Sequence, residues 1–207
     1  INESKNWEFN VAWIDTSSNV KNLGRSILTR GYFIRERKNN LSFLKNKSFI
    51  SNLPKVFPDF FMGTFIIKIL NFIYFSFSLT GKKISSIDEF FYPLDKINNW
   101  NVIYGKKGFI SYQCSVPVKN SYKSIYQILK ILKKNKIYSF VSVLKSMGKN
   151  DKLLSFGQKG FTLVFDFPIY PKVLDVLFKL DKVVLKNKGK VYLTKDSRIS
   201  RENFNKI

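Results

Sequence analysis

Two periods of hydrophobic spacing alternate along the second half of the chain, and each change of period marks an element. In "FISYQCSVP" (109–117) apolar and polar residues alternate, and the run stops at Pro117, as a β-strand does. The period then lengthens. Tyr122, Ile125, Leu129 and Leu132 recur at helical spacing through "YKSIYQILKILKKNK", with Ser121 in place to cap the helix. "YSFVSVLKSMG" (138–148) and "GFTLVFDFPI" (160–169) return to strand character. Pro171 stands where a second helix would begin, Val173, Leu177, Leu180 and Val184 form its apolar stripe, and Gly189 is placed to end it. "KVYLT" (190–194) reads as a fourth strand. The order is strand, helix, strand, strand, helix, strand. It predicts an α+β fold, an antiparallel sheet with helices on one face, built on a split βαβ (ferredoxin-like) core from about 109 to 194.

The first half is less regular. "EFNVAWID" (8–15) is rich in β-formers, and "LGRSILTRGYFI" (23–34) is strand-like after Gly24, so both could extend the sheet. "RERKNNLSFLKNKS" (35–48) reads as a polar surface loop. Residues 56–79 are the most apolar stretch, but Asp59, Lys68 and Asn71 interrupt it. A membrane span needs about 20 largely apolar residues, so the expectation is an amphipathic or buried helix over 58–75, with contact to a membrane surface as the lesser option. The whole chain, 1–207, is read as one domain, with 1–85 as its less regular part and 86–207 as its core part. There is no internal repeat, and "GKKG" (105–108) is too short for a phosphate-binding loop.

Composition narrows the function classes. Hydrophobic residues are 44% of the chain and aromatics 16%, enough for a packed core. The formal charge is +22, which invites nucleic acid or an anionic membrane as a partner. Yet only six of the 36 basic residues are Arg, and Lys, Asn, Ile and Phe are in excess together. Drift toward adenine- and thymine-rich codons gives that combination, and specific phosphate recognition favours the planar Arg fork. The lysines are also spread evenly, so no specific nucleic acid is expected. A basic nucleic-acid-binding or peripheral membrane-binding module stays as the alternative. The one cysteine, Cys114, excludes an internal disulfide and fits a reducing, cytoplasmic setting, peripheral to a membrane at most. The absence of histidine excludes His bases, Ser-His-Asp triads and His-ligated metal sites within the chain, and no metal is expected. The sequence opens on Ile1 with no leader pattern, which suggests a fragment or a processed chain.

Candidate chemistry falls on the polar positions of the strands. Phe109, Ser111, Gln113 and Ser115 share one face of their strand, and Gln113 has the donor and the acceptor that a sugar hydroxyl needs. Lys145 lies in line with Val141 and Val143, where a lysine either snorkels or is desolvated with a lowered pKa. Tyr192 and Thr194 share a face of the last strand, and Lys195 and Asp196 follow at its exit. Each of these, taken singly, also reads as an ordinary structural residue, Lys195 with Asp196 as a surface ion pair of little value.

The same residues carry a resemblance. "FFYPLDKINNWNVIYGKKGFISYQCSVP" (90–117), "YSFVSVLKSMG", "LLSFGQKGFTLVFDFPI" (153–169) and "GKVYLTKDSRIS" (189–200) resemble the substrate (cap) domain of FAD-dependent oxidoreductases related to decaprenylphosphoryl ribose oxidase. The wider group takes in the aldonolactone oxidases and the vanillyl-alcohol oxidase superfamily. "VAWIDT" (11–16), "LGRSILTRG" (23–31) and "FPDFF" (57–61) fit the same domain more weakly. The resemblance implies oxidation of a secondary alcohol of a sugar, polyol or lactone, lipid-linked or free, with hydride passing to FAD. It implies Lys195 and Tyr192 as catalytic residues, in a Tyr-x-x-Lys-Asp motif, and Gln113, Lys145 and Thr162 as substrate-binding residues. Ser111 replaces the first Gln of the family's Phe-Leu-Gln-Tyr-Gln run. Val102 stands where relatives often have Arg, Val164 where mycobacterial ones carry Cys, and Thr162 where they carry Asn. The family's FAD-binding domain has no counterpart in this sequence. FAD is therefore expected to be bound mainly by a domain absent from this chain, the partner is an FAD-binding domain or chain, and the chain is expected to be inactive alone.

Overall fold

A computed structural model describes residues 7–34, 51–54, 57–78, 80–148, 156–195 and 198–205. The predicted loop over 35–48 lies outside these, as does Asp196. In chain order the elements are β1 (Phe9–Ile14), β2 (Ser26–Gly31), β3 (Ser51–Asn52), α1 (Thr64–Ser76), α2 (Ile87–Phe91), β4 (Ile97–Asn98), β5 (Phe109–Pro117), α3 (Ser121–Asn135), β6 (Ser142–Met147), β7 (Gly160–Pro168), α4 (Pro171–Lys186), β8 (Lys190–Val191) and α5 (Arg201–Phe204). A further 3₁₀ turn spans Trp100–Tyr104 and another Leu193–Lys195.

Six strands form one sheet in the order β2-β1-β6-β7-β5-β8, and every neighbouring pair is antiparallel. Within it, β5, β6, β7 and β8 with α3 and α4 make the split βαβ unit, with its first and third strands, β5 and β7, side by side in the middle. The two early strands extend the sheet beyond β6, where Val11 lies opposite Lys145 and Trp13 opposite Val143. β3 and β4 form a separate two-residue parallel pair.

One face of the sheet is apolar because its inward positions are Tyr112, Cys114, Val116, Leu163, Phe165 and Phe167, and α3 and α4 close over it. From α3 come Ile128, Leu129 and Leu132, and from α4 Val173, Val176, Leu177, Leu180 and Val184. Burying a side chain of this size stabilises by about 1.5–3 kcal/mol, so this layer holds the domain together. α1 and α2 meet the opposite face instead, at its margins. Tyr74 of α1 packs edge-on against Trp13, and Phe91 of α2 against Phe9. A second apolar cluster (Met62, Ile67, Tyr104, Tyr138) joins α1 to the 3₁₀ turn before β5.

Several boundaries differ from the sequence expectation, each for a local reason. Ser121 is the first helical residue of α3 rather than its cap, and its hydroxyl donates to the Val118 carbonyl. Tyr122 is 74% exposed, so the buried stripe of α3 is rotated toward Ser124, Ile128 and Leu132. α1 starts at Thr64 rather than 58, because hydrogen-bonded turns occupy the residues after Pro58. β6 starts at Ser142 rather than 138, because the Asp166 N–H bonds the Val141 carbonyl and the buried Ser139 hydroxyl instead of continuing a ladder. The last strand stops at Val191, since Lys195 N–H turns back to the Tyr192 carbonyl, so Tyr192 and Thr194 do not share a strand face.

α3 and α4 end in the same way. At the end of α4, Gly189 N–H bonds the Val184 carbonyl at 2.8 Å and Lys188 N–H the Leu185 carbonyl at 3.0 Å. That is a Schellman closure, in which the left-handed position is held by Lys188 (φ 60°), not by Gly189. Lys136 (φ 56°) holds it at the end of α3. Gly189 is needed for another reason, since a Cβ there would collide with the Ser115 carbonyl. Lys136→Gly is expected to raise stability by about 0.5–1 kcal/mol, because glycine occupies the left-handed region without the Cβ penalty. A urea midpoint that stays or falls would refute this.

Candidate active site

The register places the polar strand positions on the face that α3 and α4 leave free. Ser111 lies opposite Asp166, Gln113 opposite Val164 and Ser115 opposite Thr162, and Thr162 in turn lies opposite Lys145. Tyr192 N–H bonds the Gln113 carbonyl at 2.9 Å, which sets Tyr192 at the edge of the same row. The floor of the site is thus three adjacent strands, β5, β6 and β7, with the β8 exit beside them.

Lys195 comes to this floor from the 3₁₀ turn after β8. Its Nζ lies 3.4 Å from Ser111 Oγ, and the side chain is exposed. Lys145 stands on β6 with its Nζ 6.0 Å from the Phe91 ring centroid. Its pKa is lowered, first by burial and then by the positive charge of Lys195. The charge of Lys195 thus reaches Lys145, and the neutral amine of Lys145 is made more accessible. Gln113 donates through Nε2 to Thr162 Oγ1 at 3.2 Å. Thr162, 4% exposed, passes its own proton to the Cys114 carbonyl at 3.0 Å. Thr162 is therefore a support for Gln113, whose Oε1 is left to accept from a ligand. The Tyr192 ring packs on Phe156, centroids 4.6 Å apart.

Sequence reasoning passed over Asp166. It is 5% exposed, Ser111 stands opposite it on the rung, and its Oδ1 has no partner. The signal was present in "GFTLVFDFPI", where the alternation puts Asp166 on the face of Thr162 and Val164. Burial pushes its pKa up, against the opposing pull of Ser111 and of Lys195. The hydroxyl of Tyr104, 1% exposed, is also without a partner, and the Asp166 charge adds to burial in raising its pKa. Cys114, on the covered face, is fully buried with its thiol pushed up to about 12, and takes no part in the site.

A pH dependence follows from Asp166. A carboxyl whose native pKa is raised favours folding when protonated. That contribution is whole below the ordinary Asp value of about 3.9 and is lost as pH rises through the native pKa. The stability advantage of Asp166→Asn over the native chain should therefore shrink as pH falls from about 8 to about 4. Urea midpoints that keep a constant difference across that range would mean that Asp166 titrates as an ordinary carboxylate.

No helix among the described residues is long and apolar enough to cross a membrane. No protein-family model matches the sequence. Over 208 aligned residues the chain is 30% identical to the decaprenylphosphoryl-beta-D-ribose oxidase of Mycolicibacterium smegmatis, an alignment that covers 96% of this chain and 45% of the relative. The chain thus spans about half the length of the curated relative it matches. Along nearly its whole length the chain is similar to part of an oxidase.

Proposed function

We propose that this chain is the substrate-binding part of an FAD-dependent oxidoreductase that oxidises a secondary alcohol of a sugar, polyol or lactone. The observation that carries the proposal is the convergence of Lys195, Lys145, Gln113 and Tyr192 on the free face of the sheet. The likeness to an oxidase gives that convergence its reaction class.

The donor set fits a flavin. When bound, the flavin would accept the hydride from the carbinol carbon, and Lys195 offers positive charge where a ring gaining electrons turns negative. The described residues include no glycine-rich phosphate loop, so its phosphates would be held by an FAD-binding domain or chain as partner. The chain's own residues do the rest. Lys195, with donors to spare beyond its contact to Ser111, stabilises the oxygen that loses its proton. Lys145, whose pKa is lowered by burial and by the charge of Lys195, gives up its proton more readily than an exposed lysine and is the candidate to receive that one. Gln113 fixes a second hydroxyl through Oε1, and Tyr192 closes the edge of the site.

The test is anaerobic flavin reduction by aldoses, polyols and aldonolactones in the flavin-loaded protein, together with ligand-observed NMR binding of the same compounds to this chain. Binding and reduction by one class would support the reading. If no alcohol in these classes bound or reduced the flavin, the reading would be wrong. The nucleic-acid alternative is not favoured, because the likeness is to an oxidase.

One observation supports a lipid-linked form of substrate. α1 exposes Phe65 (72%), Ile69 (39%) and Phe72 (60%) at helical spacing, an apolar strip with the exposed Lys68 on the same helix. The chain should sediment with anionic vesicles and lose at least about half of that binding in the Phe65→Ser/Phe72→Ser variant. Equal sedimentation of both would remove α1 from the reading.

A further inference from the structure

The least explained group in the molecule is the Asp166 carboxyl. A buried acid with an unpartnered oxygen is costly, and packing gives no reason to keep one here. Its surroundings are specific. Across the β5–β7 rung stands Ser111, and beyond Ser111 stands the ammonium of Lys195 at 3.4 Å. A serine hydroxyl has one proton to give and two lone pairs. A Ser111 proton turned across the rung toward Asp166 leaves the Ser111 oxygen to face Lys195 as an acceptor.

We propose that Asp166 is the positioning residue for Lys195. It fixes the direction of the Ser111 hydroxyl, and Ser111 in turn holds the lysine over the floor of the site. This deepens the oxidase reading and rests on it. The spacer has a chemical purpose. A direct Asp–Lys pair would tie the ammonium to the carboxylate, whereas a serine between them takes one of the three lysine donors and leaves two for the reacting oxygen. The charged and titratable groups that act on this row are Lys195 from the turn after β8, Lys145 from β6 across the site, and Tyr104 from the 3₁₀ turn before β5. Tyr104, with a buried and unpartnered hydroxyl, is the other group beside Asp166.

The first experiment needs no turnover. The Asp166 carboxyl of this chain is titrated by carbon NMR in the native form, in Lys195→Met and in Ser111→Ala. Both variants remove a group that favours the charged carboxylate, so both should move its titration to higher pH. An unchanged midpoint in both would overturn the relay. The second experiment uses the flavin-loaded protein. Asp166→Asn and Ser111→Ala should each lower kcat about 10- to 100-fold with KM changed less than about twofold, and the double variant should be little worse than either. The pH profile of kcat in Asp166→Asn should lose the limb that Asp166 sets. Additive losses, or losses confined to KM, would overturn the proposal. Failure of the native protein to oxidise any alcohol would instead sink the oxidase reading and leave the titration result standing.

Discussion

Lys195→Met is expected to lower alcohol oxidation by the flavin-loaded protein about 100- to 1000-fold while leaving the fold intact. The two halves of this expectation have separate causes. The side chain is exposed and its described contact is one long hydrogen bond to Ser111, so its removal should change stability by less than about 0.5 kcal/mol. Its place over the floor, with Lys145, Gln113 and Tyr192 around it, puts its charge where an alcohol oxygen would become negative. The loss should therefore appear in kcat more than in KM. Lys195→Arg should recover little, because the planar guanidinium presents its donors as a fork rather than a point. Steady-state rates beside a urea unfolding curve for each variant make the measurement. Native-like turnover in Lys195→Met would remove the residue from the site.

The largest effect on stability is expected three residues later. Arg198 makes two bonds to Asp181 of α4, Nη1 to Oδ2 at 2.6 Å and Nη2 to Oδ1 at 3.0 Å, and Tyr112 of β5 donates its hydroxyl to the same Oδ1 at 3.1 Å. The Asp181 side chain is 0% exposed and that of Arg198 9%. Removing one partner of a buried pair leaves the other charge without compensation, at a cost of about 3–5 kcal/mol. Arg198→Met should therefore consume much of a stability that for an ordinary domain is about 5–15 kcal/mol. Arg198→Met/Asp181→Leu should regain most of it, since a pair replaced by apolar side chains is close to neutral. Denaturant midpoints of the two variants decide the matter, and equal destabilisation in both would show that the ion pair itself is not the cause. Arg198 also ties the segment that follows Lys195 to the helix layer, so Arg198→Met should lower activity as well.

The arrangement of the sheet could be read from sequence because the elements from β5 to β8 switch cleanly between a period of two and a helical one. Alternation put Ser111 and Gln113 on one face of β5, and only the register shows that Lys145 of β6 stands on the same face of the sheet. Other features follow from contacts that periodicity does not encode. Asp166 looked like part of an apolar strand until its partner across the rung was known to be Ser111. Arg198 has no sequence pattern around it that marks burial, and its acid lies on α4, where Asp181 interrupts an apolar stripe. The left-handed ends of α3 and α4 carry Lys136 and Lys188, residues that give no signal for that conformation. The early return after Val191 depends on a single backbone bond from Lys195 to Tyr192, below the reach of any pattern.

The pairing of β1 with β6 governs how the domain can be made. Trp13 bonds the Phe140 carbonyl across 127 residues of sequence. At a synthesis rate of about 5–20 residues per second, the β1–β2 hairpin waits roughly 6–25 s before the strand it pairs with has even been made. A two-stranded hairpin is marginal in water, so it cannot set before then. Completion of the sheet must wait for distant pairing, which is slow where loop closure precedes any gain in contacts. Lys145 is set opposite Thr162 by the sequence-local β6–β7 pairing, so the floor of the site does not depend on β1, whose docking closes the far side of β6.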